Sequence, residues 1–291
     1  MFDLNEAVKL HFFNKNMVKN YFLLSIFGIK IKGIMKTQIT FLMMFFSIGL
    51  LAQPEIIAHR GASYLAPENT LAAANLAWEL NADAVEIDIY LTQDNRVVAI
   101  HDKDTKRTCL GKKNMKIANT PSEVLRELDA GVWKDEKYKG EKIPFLSEII
   151  ETVPPQKTLV VEIKCGSEVL PHLKRVVDNS GKKDQIVFIA FGWDTILNTK
   201  KVFPENKCYW LSSVKVGLKN KMEQAAEKGL EGVNLNHKII DEKVMQMAVE
   251  NNLEVLTWTV NDPEEAKRLD RLGVAGITTD RPGWLKEQMG N

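Results

Sequence analysis

The chain has 291 residues, 45% of them apolar and 26% charged, with a net charge of +1. That balance belongs to a globular protein and leaves no global charge argument for nucleic acid. The three cysteines, Cys109, Cys165 and Cys208, form no CxxC pair and no disulfide framework.

The first segment stands apart. Residues 1–52 carry six Lys against one Asp and one Glu, and 39–51 (ITFLMMFFSIGLL) is almost wholly apolar. The run is shorter than the roughly 20 residues a spanning helix needs. Preceded by Met35-Lys36 and followed by Ala52-Gln53, it reads as a secretory signal peptide cleaved near Ala52, with an uncleaved anchor as the alternative. No cysteine stands there for a lipoprotein anchor, and translation from Met35 accounts for the residues upstream. The expectation is an N-terminal extension and signal peptide over 1–52, then a catalytic unit over 53–291 exported to the periplasm or secreted, with no membrane span in the mature chain.

From Glu55 onward β-rich runs alternate with amphipathic stretches. Strands are expected over 55–60, 84–92, 97–101, 158–165, 185–191, 207–213, 232–236, 254–260 and 276–279. One helix, capped by Asn69 or Thr70, is expected to run through Trp78, and others over 121–128, 147–152, 168–179, 194–201, 220–228, 241–251 and 263–272; several open on Asp, Asn or Pro. Strand–helix alternation implies parallel strands with right-handed crossovers, and eight such units suggest an α/β fold of the closed (β/α)8 TIM-barrel type. An open doubly wound sheet is the alternative, but no GxGxxG turn follows the first strand. Only Thr92–Arg96 separates VVAIH (97–101) from the strand before it, too little for a parallel crossover. The pair is therefore a hairpin. A two-residue turn at Asp94-Asn95 sets Asp88 opposite His101. Residues 103–154 have no strand pattern and read as a small insertion at one end of the barrel.

Active sites of such barrels lie at the carboxyl ends of the strands. Those ends carry His59 and Arg60, then Glu86 and Asp88, then Glu162 and Lys164, and late in the chain Trp258, Asn261 and Asp280. Glu86 and Asp88 are two apart on a strand, so they share a face about 6.5 Å apart, and Glu162 with Lys164 repeat the pattern. Three converging carboxylates repel unless a cation lies between them, and oxygen-only ligands suit Mg²⁺ or Ca²⁺. A purely structural network with Arg60 and Lys164 is the alternative on spacing alone. Histidine exchanges protons near neutral pH, while Arg and Lys attract phosphate oxygens. His172, in an expected helix, is assigned to structure, and His237 leans the same way.

Together these residues resemble the glycerophosphodiester phosphodiesterase family. His59-Arg60-Gly61 with Pro67-Glu68-Asn69-Thr70 is similar to its signature, and the likeness continues through VEIDIYLTQDNRVVAIHD, ELDAGVW, IPFL, VVEIK, LTWTVND and GITTDRP, spanning nearly all of 55–283. The resemblance implies a phospholipase-C-like (β/α)8 barrel. It implies hydrolysis of glycerophosphodiesters, as small-molecule substrates, to sn-glycerol 3-phosphate and an alcohol, within lipid and glycerol metabolism. It implies one divalent cation, Ca²⁺ or Mg²⁺, on Glu86, Asp88 and Glu162. His59 and His101 become the general acid/base pair, Arg60 and Lys164 the phosphate contacts, and Trp258 and Phe191 the aromatics near the glycerol moiety. Gln93 and Asn95 stand where the family's hairpin has Lys and Gly, and Phe145 stands where Thr is usual. A relative acting on lysophospholipids or sphingolipids needs an apolar lip, for which 103–154 offers no long apolar run. A non-catalytic binding protein is expected to lack some of these groups, and none is missing.

Overall fold

A computed structural model describes residues 53–109 and 114–290. The expected signal peptide, its cleavage near Ala52 and the start at Met35 lie outside the described residues. Eight parallel strands close on themselves: β1 (Glu55–Ala58), β2 (Ala84–Leu91), β4 (Thr158–Ile163), β5 (Ile186–Ala190), β6 (Cys208–Ser212), β7 (Gly232–Asn236), β8 (Glu254–Trp258) and β9 (Gly276–Thr279). Each pairs with the next in this order, and β9 returns to β1, so the barrel has no open edge. The expected (β/α)8 barrel is the observed fold.

Its helices follow from the sequence signals. They are α1 (Leu71–Glu79), α2 (Ser122–Arg126), α3 (Leu146–Thr152), α4 (Leu170–Asn179), α5 (Trp193–Val202), α6 (Leu218–Glu227), α7 (Glu242–Glu250), α8 (Pro263–Leu272) and α9 (Pro282–Met289). Thr70 caps α1 by accepting from Ala73 N at 3.2 Å, and Asp241 caps α7 by accepting from Val244 N at 3.0 Å. α9 was not among the expected helices.

Alternation along the strands sorts the side chains. Val85, Ile87, Ile89, Val161 and Ile163 face outward into one large apolar layer under the helices. Each such buried side chain contributes roughly 1.5–3 kcal/mol. Ile57, Ala84, Val160, Ile189, Tyr209, Leu211 and Leu256 form a second, separate cluster that plugs the barrel interior. One step further along the same inward faces, the residues become acids and lysine. β1, β4 and β5 end at Ala58, Ile163 and Ala190, which leaves His59, Arg60, Lys164 and Phe191 just beyond the strand ends.

The hairpin corrects one expectation. β3 (Val97–Ala99) pairs antiparallel with β2 through Ile89–Ala99, Tyr90–Val98 and Leu91–Val97. Asn95 N donates to Thr92 O at 3.0 Å and Thr92 N to Arg96 O at 2.9 Å, so the loop has three residues, with Asn95 left-handed at φ 62°. That is a type I turn closed by a bulge at the left-handed residue, not a two-residue turn. The register moves by one. Asp88 O accepts from Ile100 N at 3.0 Å, so Ile100, not His101, lies opposite Asp88. His101 follows the strand end and reaches the mouth from a bend.

The insertion has its own apolar centre of Val98, Ile100, Cys109, Ile117, Leu125, Ala130 and Ile143. Phe145 sits under it, its ring covered by the guanidinium groups of Arg96 and Arg126 at 4.2 and 4.4 Å. The aromatic replacement therefore serves packing of the insertion, through cation–π contacts that threonine cannot make.

Candidate active site

β2 and β4 are neighbours in parallel register, with Asp88 directly beside Glu162 and Glu86 beside Val160. This brings Glu86, Asp88 and Glu162 together, each offering a carboxylate oxygen within 4.8 Å of the others. All three are buried or nearly so. Arg60 Nε lies 3.3 Å from Asp88 Oδ2, and Lys164 Nζ lies 2.7 Å from Glu162 Oε1 and 3.5 Å from Asp88 Oδ1. Three acids thus meet two cations. Without a further cation, the imbalance falls on protons. Burial, then the charges of Asp88 and Glu162, raises Glu86 well above the ordinary carboxylate range. Burial and Asp88, against the pull of Lys164, raise Glu162 to about 7. Asp88 is held low, because Arg60 and Lys164 outweigh its burial.

Glu86 accepts Arg60 N on Oε2 at 2.9 Å, while its buried Oε1 has no hydrogen-bond partner. A buried carboxylate oxygen left unpaired costs about 1–3 kcal/mol. Its position in an all-oxygen trio fits a divalent cation of the Mg²⁺ or Ca²⁺ type.

The backbone around His59 is bent to deliver these groups. Arg60 and Gly61 are both left-handed, at φ 56° and 81°. Gly61 is needed for packing as well, since a Cβ there would meet Ala73 C at 2.6 Å. The glycine lets the loop close on α1. Asn69, also left-handed at φ 58°, donates Nδ2 to Asp88 Oδ2 at 2.9 Å and accepts Asp88 N on Oδ1 at 3.0 Å. That reciprocal pair fixes Asp88 from the signature loop.

Each mouth histidine has a carboxylate behind it. His59 Nδ1 is 2.7 Å from Asp280 Oδ1, and Asp280 also accepts from Ser63 Oγ at 3.1 Å and Asn261 Nδ2 at 2.6 Å. Burial opposes ionisation of Asp280, but these donors hold it down at about 2. His101 Nδ1 is 2.6 Å from Asp102 Oδ1. Burial lowers the His101 pKa, with Asp88 acting the other way. In both cases the ring's Nδ1 is engaged and Nε2 is left for other work.

Phe191 and Trp258 meet edge to face with centroids 5.5 Å apart, and Lys164 Nζ lies 5.8 Å from the Phe191 centroid. Trp258 is anchored by Nε1 donating to Asn234 O at 3.2 Å. His237, by contrast, is tied through Nδ1 to Glu265 Oε1 at 2.7 Å, alongside Arg268. His172 lies in α4, as expected.

Sequence reasoning placed Asp280 at a strand end without a role and gave none to Asp102 or Arg107; it offered Asn69 only as an alternative helix cap, a place that Thr70 takes. Asp102 could have been found, since it follows His101 directly. Asn69 lies in the signature and needs a left-handed backbone, which asparagine tolerates.

Acids, cations and backed histidines gathered at one barrel mouth define a class, the hydrolases of phosphoric diesters. The profile of the glycerophosphoryl diester phosphodiesterase family matches residues 59–284. The chain is 32% identical to a glycerophosphodiester phosphodiesterase of Caldanaerobacter subterraneus over 235 residues, covering 79% of this chain and 95% of that one. It is 31% identical to YhdW of Bacillus subtilis, covering 79% and 96%. A solved Oleispira antarctica phosphodiesterase, in complex with the product sn-glycerol-3-phosphate, superposes with a TM-score of 0.77 at 29% identity, covering 82% of this chain and 98% of that one. This chain belongs to the glycerophosphoryl diester phosphodiesterase family.

Proposed function

We propose that the chain hydrolyses glycerophosphodiesters to sn-glycerol 3-phosphate and an alcohol, that it depends on one divalent cation, Ca²⁺ or Mg²⁺, and that His59 and His101 carry the protons. The observation that supports this best is the carboxylate trio Glu86, Asp88 and Glu162, with the unpaired Glu86 Oε1 among them and Arg60 and Lys164 beside it. Family membership and the product complex of the Oleispira antarctica relative point the same way.

The residues divide the work as follows. Glu86, Asp88 and Glu162 hold the cation, which neutralises charge on the phosphoryl oxygens and acidifies an oxygen near it. Arg60 and Lys164 hold the phosphate, Arg through a planar fork and Lys as a point charge. Their own carboxylate partners keep both charged and aimed. One histidine accepts the nucleophile's proton on Nε2 and the other returns a proton to the leaving alkoxide, each contributing about 10²–10⁴-fold. Phe191 and Trp258 cover the apolar face of the glycerol moiety. The resemblance favours the glycerol 2-hydroxyl as nucleophile, through a cyclic phosphate, over direct attack by water.

The test is release of glycerol 3-phosphate from several glycerophosphodiesters by metal-stripped protein, with and without added Mg²⁺ or Ca²⁺. Activity that persists after complete metal removal rejects the cation site, and no release from any substrate rejects the activity. We also propose export. The apolar run 39–51 and Ala52 support it, and mass spectrometry of the secreted or periplasmic protein should find a new N-terminus near Gln53. No described helix is long and apolar enough to cross a membrane.

A further inference from the structure

Arg107, in the insertion, reaches the mouth of the barrel. Arg107 donates Nε to Asp102 Oδ2 at 2.7 Å, Nη1 to Glu68 Oε2 at 2.7 Å and Nη2 to Glu68 Oε1 at 2.8 Å. Both carboxylates have a second partner inside the site. Asp102 Oδ1 lies 2.6 Å from His101 Nδ1, and Glu68 Oε1 accepts from Arg60 Nη1 at 2.8 Å. Arg60 in turn lies beside Asp88. An unbroken charge-assisted chain therefore runs from one mouth histidine through Arg107 to the proposed phosphate contact.

We infer that Arg107 is a positioning residue of this enzyme, locking Asp102 and Glu68, and through them His101 and Arg60, at a fixed separation. The inference rests on the function proposed above. Three features distinguish the contact from an ordinary surface ion pair, which holds two long side chains loosely and contributes little. First, the guanidinium is bidentate to Glu68 while a third N–H takes Asp102, a fork geometry no ammonium reproduces. Second, Glu68 is mostly buried, at 12% side-chain exposure, so it is a fixed post. Third, the loop presenting Arg107 is itself pinned. Buried Thr105 donates N to Met115 O and accepts Met115 N on Oγ1, both at 3.0 Å, and Cys109 N donates to Thr105 O at 3.1 Å.

Removing the clamp leaves the ligands and histidines present but frees the Asp102–His101 unit to drift. Arg60 stays tied by Glu68 and Asp88, and its backbone N by Glu86, so substrate affinity is largely kept. Misplacement of a reacting group by an ångström costs up to about 100-fold, so Arg107→Gln should lower kcat about 10–100-fold with little change in KM. Arg107 is 43% exposed and outside the apolar centre, so the variant should fold; Arg107→Lys, which keeps charge and stem, should recover only part of the rate.

The deciding measurement is a double-mutant cycle on the full chain with its cation. In a His101→Ala background, Arg107→Gln should change kcat by less than about threefold, since the imidazole it orients is gone while Arg60 keeps its ties to Glu68, Asp88 and Glu86. An equal loss in both backgrounds, or an unchanged kcat in Arg107→Gln alone, overturns the inference. Nitrogen-15 spectra of the histidine rings give an answer independent of activity. Wild-type His101 should show a single Nδ1-protonated tautomer and Arg107→Gln a mixture; identical spectra overturn the inference. If the wild-type chain releases no glycerol 3-phosphate, it is the functional reading that fails, and the ring spectra still decide the clamp.

Discussion

Gly61→Ala separates two reasons for a glycine in the signature loop. A side chain at φ 81° costs about 1–2 kcal/mol for the left-handed backbone alone. The added Cβ also meets Ala73 C, Cβ and O at 2.6, 2.7 and 2.7 Å. Two of those atoms are helix backbone, and Ala73 O already accepts Ala62 N at 2.9 Å, so relief requires α1 or the loop to move. Overpacking of this kind adds about 1–3 kcal/mol. The sum is a loss of about 2–5 kcal/mol. Gly273→Ala is the control, since its φ is 86° but no atom lies within 4 Å of the added Cβ. It should lose only the backbone cost, about 1–2 kcal/mol. Urea titration followed by tryptophan fluorescence measures both. Movement of the loop should also disturb Arg60 N on Glu86 and lower kcat in the folded fraction. Equal stability losses in the two variants refute the packing argument and return Gly61 to a purely conformational role.

His59→Ala and His101→Ala should each lower kcat/KM by about 10²–10⁴-fold with unfolding midpoints near wild type, and near-full activity in both removes them from catalysis. With Glu162 at about 7 and Glu86 raised well above the ordinary carboxylate range, a cation that binds the trio must displace protons, so its apparent affinity should strengthen about tenfold per pH unit per proton as pH rises toward 7; isothermal titration in buffers of different ionisation enthalpy reads the proton release. The sign for stability is opposite in the metal-free protein. Glu162 at about 7 against an ordinary 4.5 means the folded state binds more protons, so stability falls as pH rises between those values, and saturating cation should remove that slope in urea titrations. In the hairpin, Asn95→Gly should be neutral or slightly stabilising while Asn95→Ala costs about 1 kcal/mol, as thermal melts would show, because only the left-handed φ of 62° is at stake.

How far the sequence reached depended on the range of the interaction. Strand period carries acids onto one face, so Glu86, Asp88 and Glu162 were legible two residues at a time, and the parallel register of β2 and β4 then set Asp88 beside Glu162. Strand existence was legible for the same reason. The hairpin register was not, because a two-residue and a three-residue turn differ only in where Asn95 turns left-handed. Thr92 decides it: its Oγ1 contacts Asp94 Oδ1 at 2.6 Å and accepts Arg96 N at 3.0 Å, which favours the longer loop. That contact is local and could have been weighed.

The partners of the histidines are a different case. Asp280 meets His59 across 221 residues and Arg107 meets Glu68 across 39, through loops whose paths no periodicity records. Such partners decide how the same two imidazoles differ. Asp280 is satisfied by Ser63 and Asn261, both neutral, whereas Asp102 is shared with a guanidinium. Residue type and spacing give the two histidines equal standing; the difference between them lies in the charge of the next neighbour out, and on the His101 side the insertion supplies it.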